Sequence, residues 1–207
     1  MKKSELLSEE KKKKIDNFFY YYKFHVLIGA FILIFLIIFI KDMVTKIDYD
    51  YSVAFLGNYG MSSDDSLALQ QWFEEHGEDL NGDGEVHVQI SDYSCPGDGE
   101  EGYDPQVFAA MQTRFILDVQ EGTSMIYFLN QEKYEDYKDQ GIFPENVEDY
   151  VQIEDCKGYQ EAGSPQSASD FMVALRILDE ESGLSEKEEI QSYYAANERL
   201  LEEFIGE

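Results

Sequence analysis

Hydrophobic positions fall into two regimes along this chain. Residues 26–40 (VLIGAFILIFLIIFI) form an apolar run of fifteen residues, broken by one glycine and free of charge. A hydrocarbon core takes about 20 residues of helix. The run reaches that length by extending backwards through Phe18, Phe19, Tyr20, Tyr21 and Tyr22, whose rings suit the headgroup region. Lys23 and His25 then lie near the edge, where a long or amphipathic side chain can reach the interface. The pattern predicts a transmembrane helix over 18–41, followed by a polar connector over 42–50.

From residue 51 the apolar positions come in short segments with strand or helix spacing. Tyr51–Leu56 (YSVAFL) is β-branched and aromatic, stops at Gly57 and reads as a buried strand. Ser63 or Asp64 is the expected cap of a helix carrying Ala68, Leu69, Trp72, Phe73 and His76 at helical spacing, with Gly77 at its end. Residues 85–91 set Val86, Val88 and Ile90 against Glu85, His87 and Gln89, a strand with one buried face. The acidic, Gly-rich loop 92–103 leads to Asp104 as N-cap and Pro105 as first residue of a helix, with Val107, Phe108, Met111, Phe115 and Val119 in one stripe before Gly122. A third strand, 125–129 (MIYFL), and a short polar helix, 131–140, capped by Asn130, come next.

Strand and helix alternate, which predicts an α/β domain with a mainly parallel sheet flanked by helices. Residues 142–169 read as an irregular excursion with a short strand near 150–153. The run 170–178 (DFMVALRIL) reads as a fourth strand in preference to a buried helix. Ser185 with Glu188 makes a capping box for an amphipathic helix bearing Ile190, Tyr193, Tyr194, Leu200, Leu201, Phe204 and Ile205.

Charge divides the chain at the same place as hydropathy. Residues 1–41 hold eight of the 16 Lys and Arg and four of the 43 acids, so residues 42–207 carry 39 acids against eight bases, a net charge of −31. Positive charge before the apolar run predicts an N-terminus inside the cell, with 1–17 as a basic cytoplasmic tail and 51–207 as an extracytoplasmic domain. The competing reading is a cleaved secretory signal. The sequence after the run, Lys41 to Asp48, has no small-x-small cleavage pattern, which favours an uncleaved signal anchor in the cell membrane. So acidic a domain repels phosphates, which excludes nucleic acid as a partner and favours cations. Cys95 and Cys156 both fall in the exported part, where one disulfide between them is expected; two free thiols are the alternative.

The sharpest local motif is DLNGDGEV at 79–86. Asp79, Asn81 and Asp83 stand at positions 1, 3 and 5 of a calcium loop, Gly84 at its turn, and Glu85 offers a backbone carbonyl at position 7. This spacing resembles the loops of EF-hands and dockerin modules. Position 12, where an EF-hand has a bidentate carboxylate, is Ile90. An Asp/Asn/Gly turn joining helix to strand accounts for the same residues. No GxSxG, HExxH, P-loop or GxGxxG motif marks a catalytic centre.

The segment 111–150, MQTRFILDVQEGTSMIYFLNQEKYEDYKDQGIFPENVEDY, resembles a stretch of bacterial extracellular solute-binding proteins of the type 2 periplasmic-binding fold, and 16–31, DNFFYYYKFHVLIGAF, resembles anchors of uncharacterised single-pass proteins of Gram-positive bacteria. The first resemblance implies one lobe of a two-lobed binding fold, since 51–207 holds about four readable strands. In an open parallel sheet a ligand is expected at the carboxyl ends of the strands, which singles out Asn58, Tyr59, Ser62, Asp92, Tyr93 and Asn130. The expectation is a membrane-anchored binding or interaction module with an extracytoplasmic ligand or protein partner. An accessory subunit docked through its transmembrane helix is the second reading and a hydrolase the third.

Overall fold

The structure, a computed structural model, describes residues 3–45, 47–144, 150–178 and 183–207, with side chains in the first helix at residue 18 and residues 20–41. Two compact units result, Met1–Ile47 and Asp48–Glu207. The first is the helix α1 (Lys3–Thr45). Within it Tyr20–Lys41 is long and apolar enough to cross a membrane, and none of that span is buried in protein.

The second unit is α/β. Its elements are β1 (Tyr51–Leu56), α2 (Ser63–His76), β2 (Val88–Asp92), α3 (Pro105–Glu121), β3 (Ile126–Leu129), α4 (Gln131–Tyr137), β4 (Val151–Gln152), α5 (Lys157–Glu161), β5 (Met172–Leu175) and α6 (Glu188–Ile205). The five strands form one sheet in the order β2-β1-β3-β5-β4. β1 runs parallel to β2 and β3, whereas β5 runs antiparallel to both β3 and β4. The expected mainly parallel sheet is therefore a mixed one. Two-residue alternation is the same whichever way a strand runs, so its direction is set by where the preceding connection enters. Here the chain from β4 passes through α5 and Gly163-Ser164, both at positive φ, and enters β5 from the opposite end.

Every residue of β1 is buried, as befits a central strand covered on both faces. Tyr51, Val53 and Phe55 face a cluster with Leu69, Trp72 and Phe73 of α2, Tyr159 of α5, and Leu200, Leu201 and Phe204 of α6. Ala54 and Leu56 face the opposite cluster, with Phe115 of α3, Tyr134 and Tyr137 of α4, Phe143 and Tyr150. The result is three layers. β2, at an edge, buries Val88 and half-buries Ile90, the face its alternation predicts.

Helix ends follow their caps with two corrections. Ser62, one residue earlier than expected, caps α2 by accepting the Asp65 N–H at 3.2 Å. Lys187 occupies the N-cap of α6, and the Ser185 capping box is displaced. Asp104 caps α3 as expected, accepting from Gln106 and Val107. The apolar stripe of α3 is only partly used: Phe115 is buried, Val107 is 49% exposed, and the second fully buried position is Asp118.

That carboxylate organises the polar centre of the core. Asp118 accepts from the Tyr93 hydroxyl (2.9 Å), Ser124 Oγ (2.7 Å) and the Tyr127 hydroxyl (3.1 Å). Ser124 continues to Ser52 at 3.1 Å, and the Ser52 N–H donates to the Tyr193 hydroxyl, which in turn donates to the Thr123 carbonyl at 2.8 Å. Burial first, and the Asp118 charge second, push the Tyr93 and Tyr127 hydroxyls well above their usual range; burial takes Tyr193 to about 12. A tyrosine pKa raised by folding contributes stability that is complete below the unfolded value near 10 and lost as pH rises through the folded value. The domain should therefore unfold cooperatively between pH 10 and about 12, with tyrosinate absorbance and circular dichroism changing together. Tyrosinate appearing well before the structure melts would show that these hydroxyls are open to solvent.

Candidate functional site

The carboxyl ends of β1 and β2 are zipped together by backbone. The Gly57 N–H donates to Ser94 Oγ at 3.0 Å, and the Cys95 N–H to the Gly57 carbonyl at 3.1 Å. Glycine is required at this exit: a Cβ on Gly57 would stand 2.8 Å from the Phe171 ring. Just beyond, Asn58 Nδ2 donates to Glu100 Oε1 (2.9 Å) and Glu132 Oε2 (2.7 Å), so one amide ties the Gly-rich loop to the first turn of α4. Its Oδ1 is buried without a hydrogen-bond partner among the described residues. Gly60 packs against Asp92, whose Oδ2 would lie 2.7 Å from an added Cβ.

Of the six expected residues, the structure brings Asn58 and Asp92 to this rim and leaves Tyr59 beside them, 63% exposed. The other three are committed elsewhere. Ser62 caps α2, Asn130 caps α4 by accepting the Lys133 N–H at 2.9 Å, and the Tyr93 hydroxyl points into the core at Asp118. Glu100 and Glu132 were missed because nothing in an acidic loop or a polar helix marks one carboxylate among many. Lys133 was missed too: it is buried, with Nζ 3.6 Å from Asp136 Oδ2. Two carboxylates on one amide, with Asp92 beside Gly60, make an acceptor-rich rim, suited to a hydrogen-bond donor or a cation.

Both thiols are free and buried, which corrects the expected Cys95–Cys156 disulfide. Cys156 belongs to the cluster under α2 and α6, with Sγ 3.6 Å from the Gln152 carbonyl. Cys95 sits on the other side of the sheet, close enough to Lys133 and Tyr137 to interact with their charges. The sheet lies between them, so no local adjustment joins the two. Burial pushes the Cys95 thiol up, with Lys133 opposing, and takes Cys156 to about 12. Neither is an activated nucleophile at neutral pH.

The Asp79 loop is held by its own side chains. Asp79 accepts from Gly82 and Gly84 N–H through its two oxygens, Asn81 Oδ1 accepts from Asp83 N–H, and Asp83 Oδ1 from Glu85 N–H at 2.9 Å. Gly82 and Gly84 adopt the positive φ that these turns need. Buried Asp50 then pins the loop to β1, accepting from Leu80, Asn81 and His87 N–H at 2.8–3.0 Å. As calcium ligands, Asp79, Asn81, Asp83 and the Glu85 carbonyl fall short of the six or more oxygens the ion takes. Among the described residues no three His, Cys, Asp or Glu converge as a metal site. With chelator present, Asp79→Ala should still cost about 1–2 kcal/mol through the two lost backbone hydrogen bonds, read from urea unfolding. A cost that appears only when calcium is present would assign the carboxylate to the ion instead.

Two cavities lie away from the carboxyl ends of the strands. One of about 450 Å³ sits at the amino end of β1, lined by Asp48, Tyr49, Asp50, Leu80, Ile190 and Tyr193, among others. Another, of about 530 Å³, runs between β5 and α6. The strand-end rim has the polar groups, whereas the open β5–α6 groove has the apolar wall.

Compared with protein-family models, curated proteins and solved structures, the chain matches none. What fold and site define together is a class: an α/β domain with a mixed sheet and an acidic rim, on a chain whose preceding helix is long enough to span a membrane.

Proposed function

We propose that this protein is a membrane-anchored, extracytoplasmic binding or interaction module, its folded domain corresponding to a single lobe of a solute-binding-like fold. The observation that carries the reading is the pairing of an unburied apolar span with a separate compact domain of opposite charge to the tail before it. The basic tail orients the N-terminus inward, so the acidic domain faces outward. A single lobe cannot close on a solute as a clamshell does, and its acceptor-rich rim and apolar groove suit a protein surface better than an enclosed small molecule. The full-length chain, cross-linked in intact cells and isolated in mild detergent, should bring down a defined partner through the domain. A variant with an unrelated transmembrane helix should keep that partner; losing it would favour docking through the helix. Protease added to intact cells should digest the domain, and protection until lysis would overturn the topology.

Calcium enters the same reading as a stabiliser of the Asp79 loop, supported by the DxNxDG spacing. Without a carboxylate at Ile90, affinity is on the order of 10⁻⁴ M or poorer, within reach of millimolar extracellular calcium. Calcium at about ten times Kd should then add roughly 1.4 kcal/mol of stability, and Asp83→Ala should abolish the gain. Absence of any gain leaves the loop as a turn.

A further inference from the structure

The groove between β5 and α6 combines an apolar floor with an uncompensated pair of charges. Val173, Leu175, Ile177, Leu201 and Ile205, with Pro144, supply its apolar walls; Ile177 is 40% exposed. Along the α6 rim stand Glu198 and Glu202, both exposed and one helical turn apart. Neither has an ion pair among the described residues: Arg199, between them in sequence, points away to Glu78 at 3.0 Å. Arg176 is also in the lining, but its guanidinium donates to the Val119 carbonyl of α3, on the other face of the sheet. Like charges four residues apart disfavour a helix, so this arrangement works against the local stability of α6. Tyr194, on the same rim, has its hydroxyl raised first by burial and then by the Glu198 charge, with the Arg176 cation opposing.

An exposed apolar groove beside two unpaired carboxylates is complementary to one kind of chemistry. We infer that the β5–α6 groove docks a segment of a partner protein that presents apolar side chains flanked by lysine or arginine. The apolar residues fill the space against Leu175, Ile177 and Ile205, and two cations answer Glu198 and Glu202, whose Cβ atoms on successive turns are about 5–6 Å apart. Two basic residues at i, i+4 on a partner helix match that spacing. The helix-in-groove mode gives affinity through the apolar face and selectivity through the charges. This deepens the reading of the domain as an interaction module and rests on it.

The test uses the full-length protein in a neutral detergent and three fluorescent amphipathic peptides of one leucine pattern, bearing Lys, Gln or Glu at the polar positions. The Lys peptide should bind, the Gln peptide more weakly and the Glu peptide not at all. Glu198→Gln with Glu202→Gln should weaken the Lys peptide about tenfold, the sum of two partly exposed ion pairs. Ile177→Ser should weaken both the Lys and the Gln peptides. Asp98→Asn with Glu101→Gln removes the same charge from the distant Gly-rich loop and should change affinity less than about twofold. An equal loss in that control pair would reduce the effect to general attraction by an acidic surface and overturn the proposal, as would failure of the Lys peptide to bind. A cellular partner that is retained by Glu198→Gln with Glu202→Gln would leave the interaction module standing and remove the groove from it.

Discussion

Phe204→Ala is expected to remove about 3–5 kcal/mol from the stability of the folded domain, the range for deleting a fully buried ring. Phe204 is completely buried, and its ring centroid lies 5.0 Å from both Trp72 and Phe73 and 5.7 Å from Phe128. It thus joins α6, α2 and β3 in one aromatic contact. α5 is shaped around it: a Cβ on Gly158 would run into the Phe204 ring and stand 2.9 Å from Trp72. Backbone that close cannot easily collapse into the space an alanine leaves, so the cavity contribution should be large. Phe204→Leu, which keeps most of the volume, should cost about half as much. Trp72, the only tryptophan, touches the ring, so its fluorescence during urea unfolding reports on the site directly. A midpoint shift worth less than about 1 kcal/mol at unchanged slope would mean that α6 is not held by this contact.

Asp118→Ala should be of similar size, about 3–5 kcal/mol, for a different reason. Three buried hydroxyls lose their acceptor at once, and each orphaned donor costs on the order of 1–3 kcal/mol when no water can reach it. Truncating Tyr127 to Phe in the same chain removes one of those orphans, so Asp118→Ala with Tyr127→Phe should cost less than the sum of the two single changes. Strict additivity would mean that the carboxylate and the hydroxyl act independently, contrary to their 3.1 Å bond. Asp118→Asn should fall between wild type and alanine, because its amide retains one acceptor oxygen while bringing two donors to a place already supplied with them.

Much of this architecture was legible from local pattern because the physics behind it is local. The run 26–40 predicts a helix by its length and lack of charge alone, and the helix spans it. Tyr51–Leu56 was readable to the residue because a strand buried on both faces is a nearly unbroken apolar run, here interrupted by Ser52 alone, and is closed by a glycine. Asp104-Pro105 and Gly122 bound α3 as a cap, a fixed φ and a left-handed stop, all properties of single residues. The mixed sheet was not legible, since hydrophobic alternation carries no sign and β5 reads alike in either direction.

The same division runs through the site. Composition and pattern alone determined that the chain carries a membrane-length helix, an acidic α/β domain and an Asp/Asn/Gly loop between α2 and β2, because each depends on neighbours in sequence. Only the tertiary structure decided which polar residues remain at the surface. It turned Tyr93 inward to Asp118 and placed Asn58 between Glu100 and Glu132. It also set Cys95 and Cys156 on opposite sides of the sheet, although both lie in the same part of the chain. Those outcomes depend on which groups meet across 25 residues of chain for Tyr93 and Asp118 and 74 for Asn58 and Glu132, a contest that only the packed fold settles.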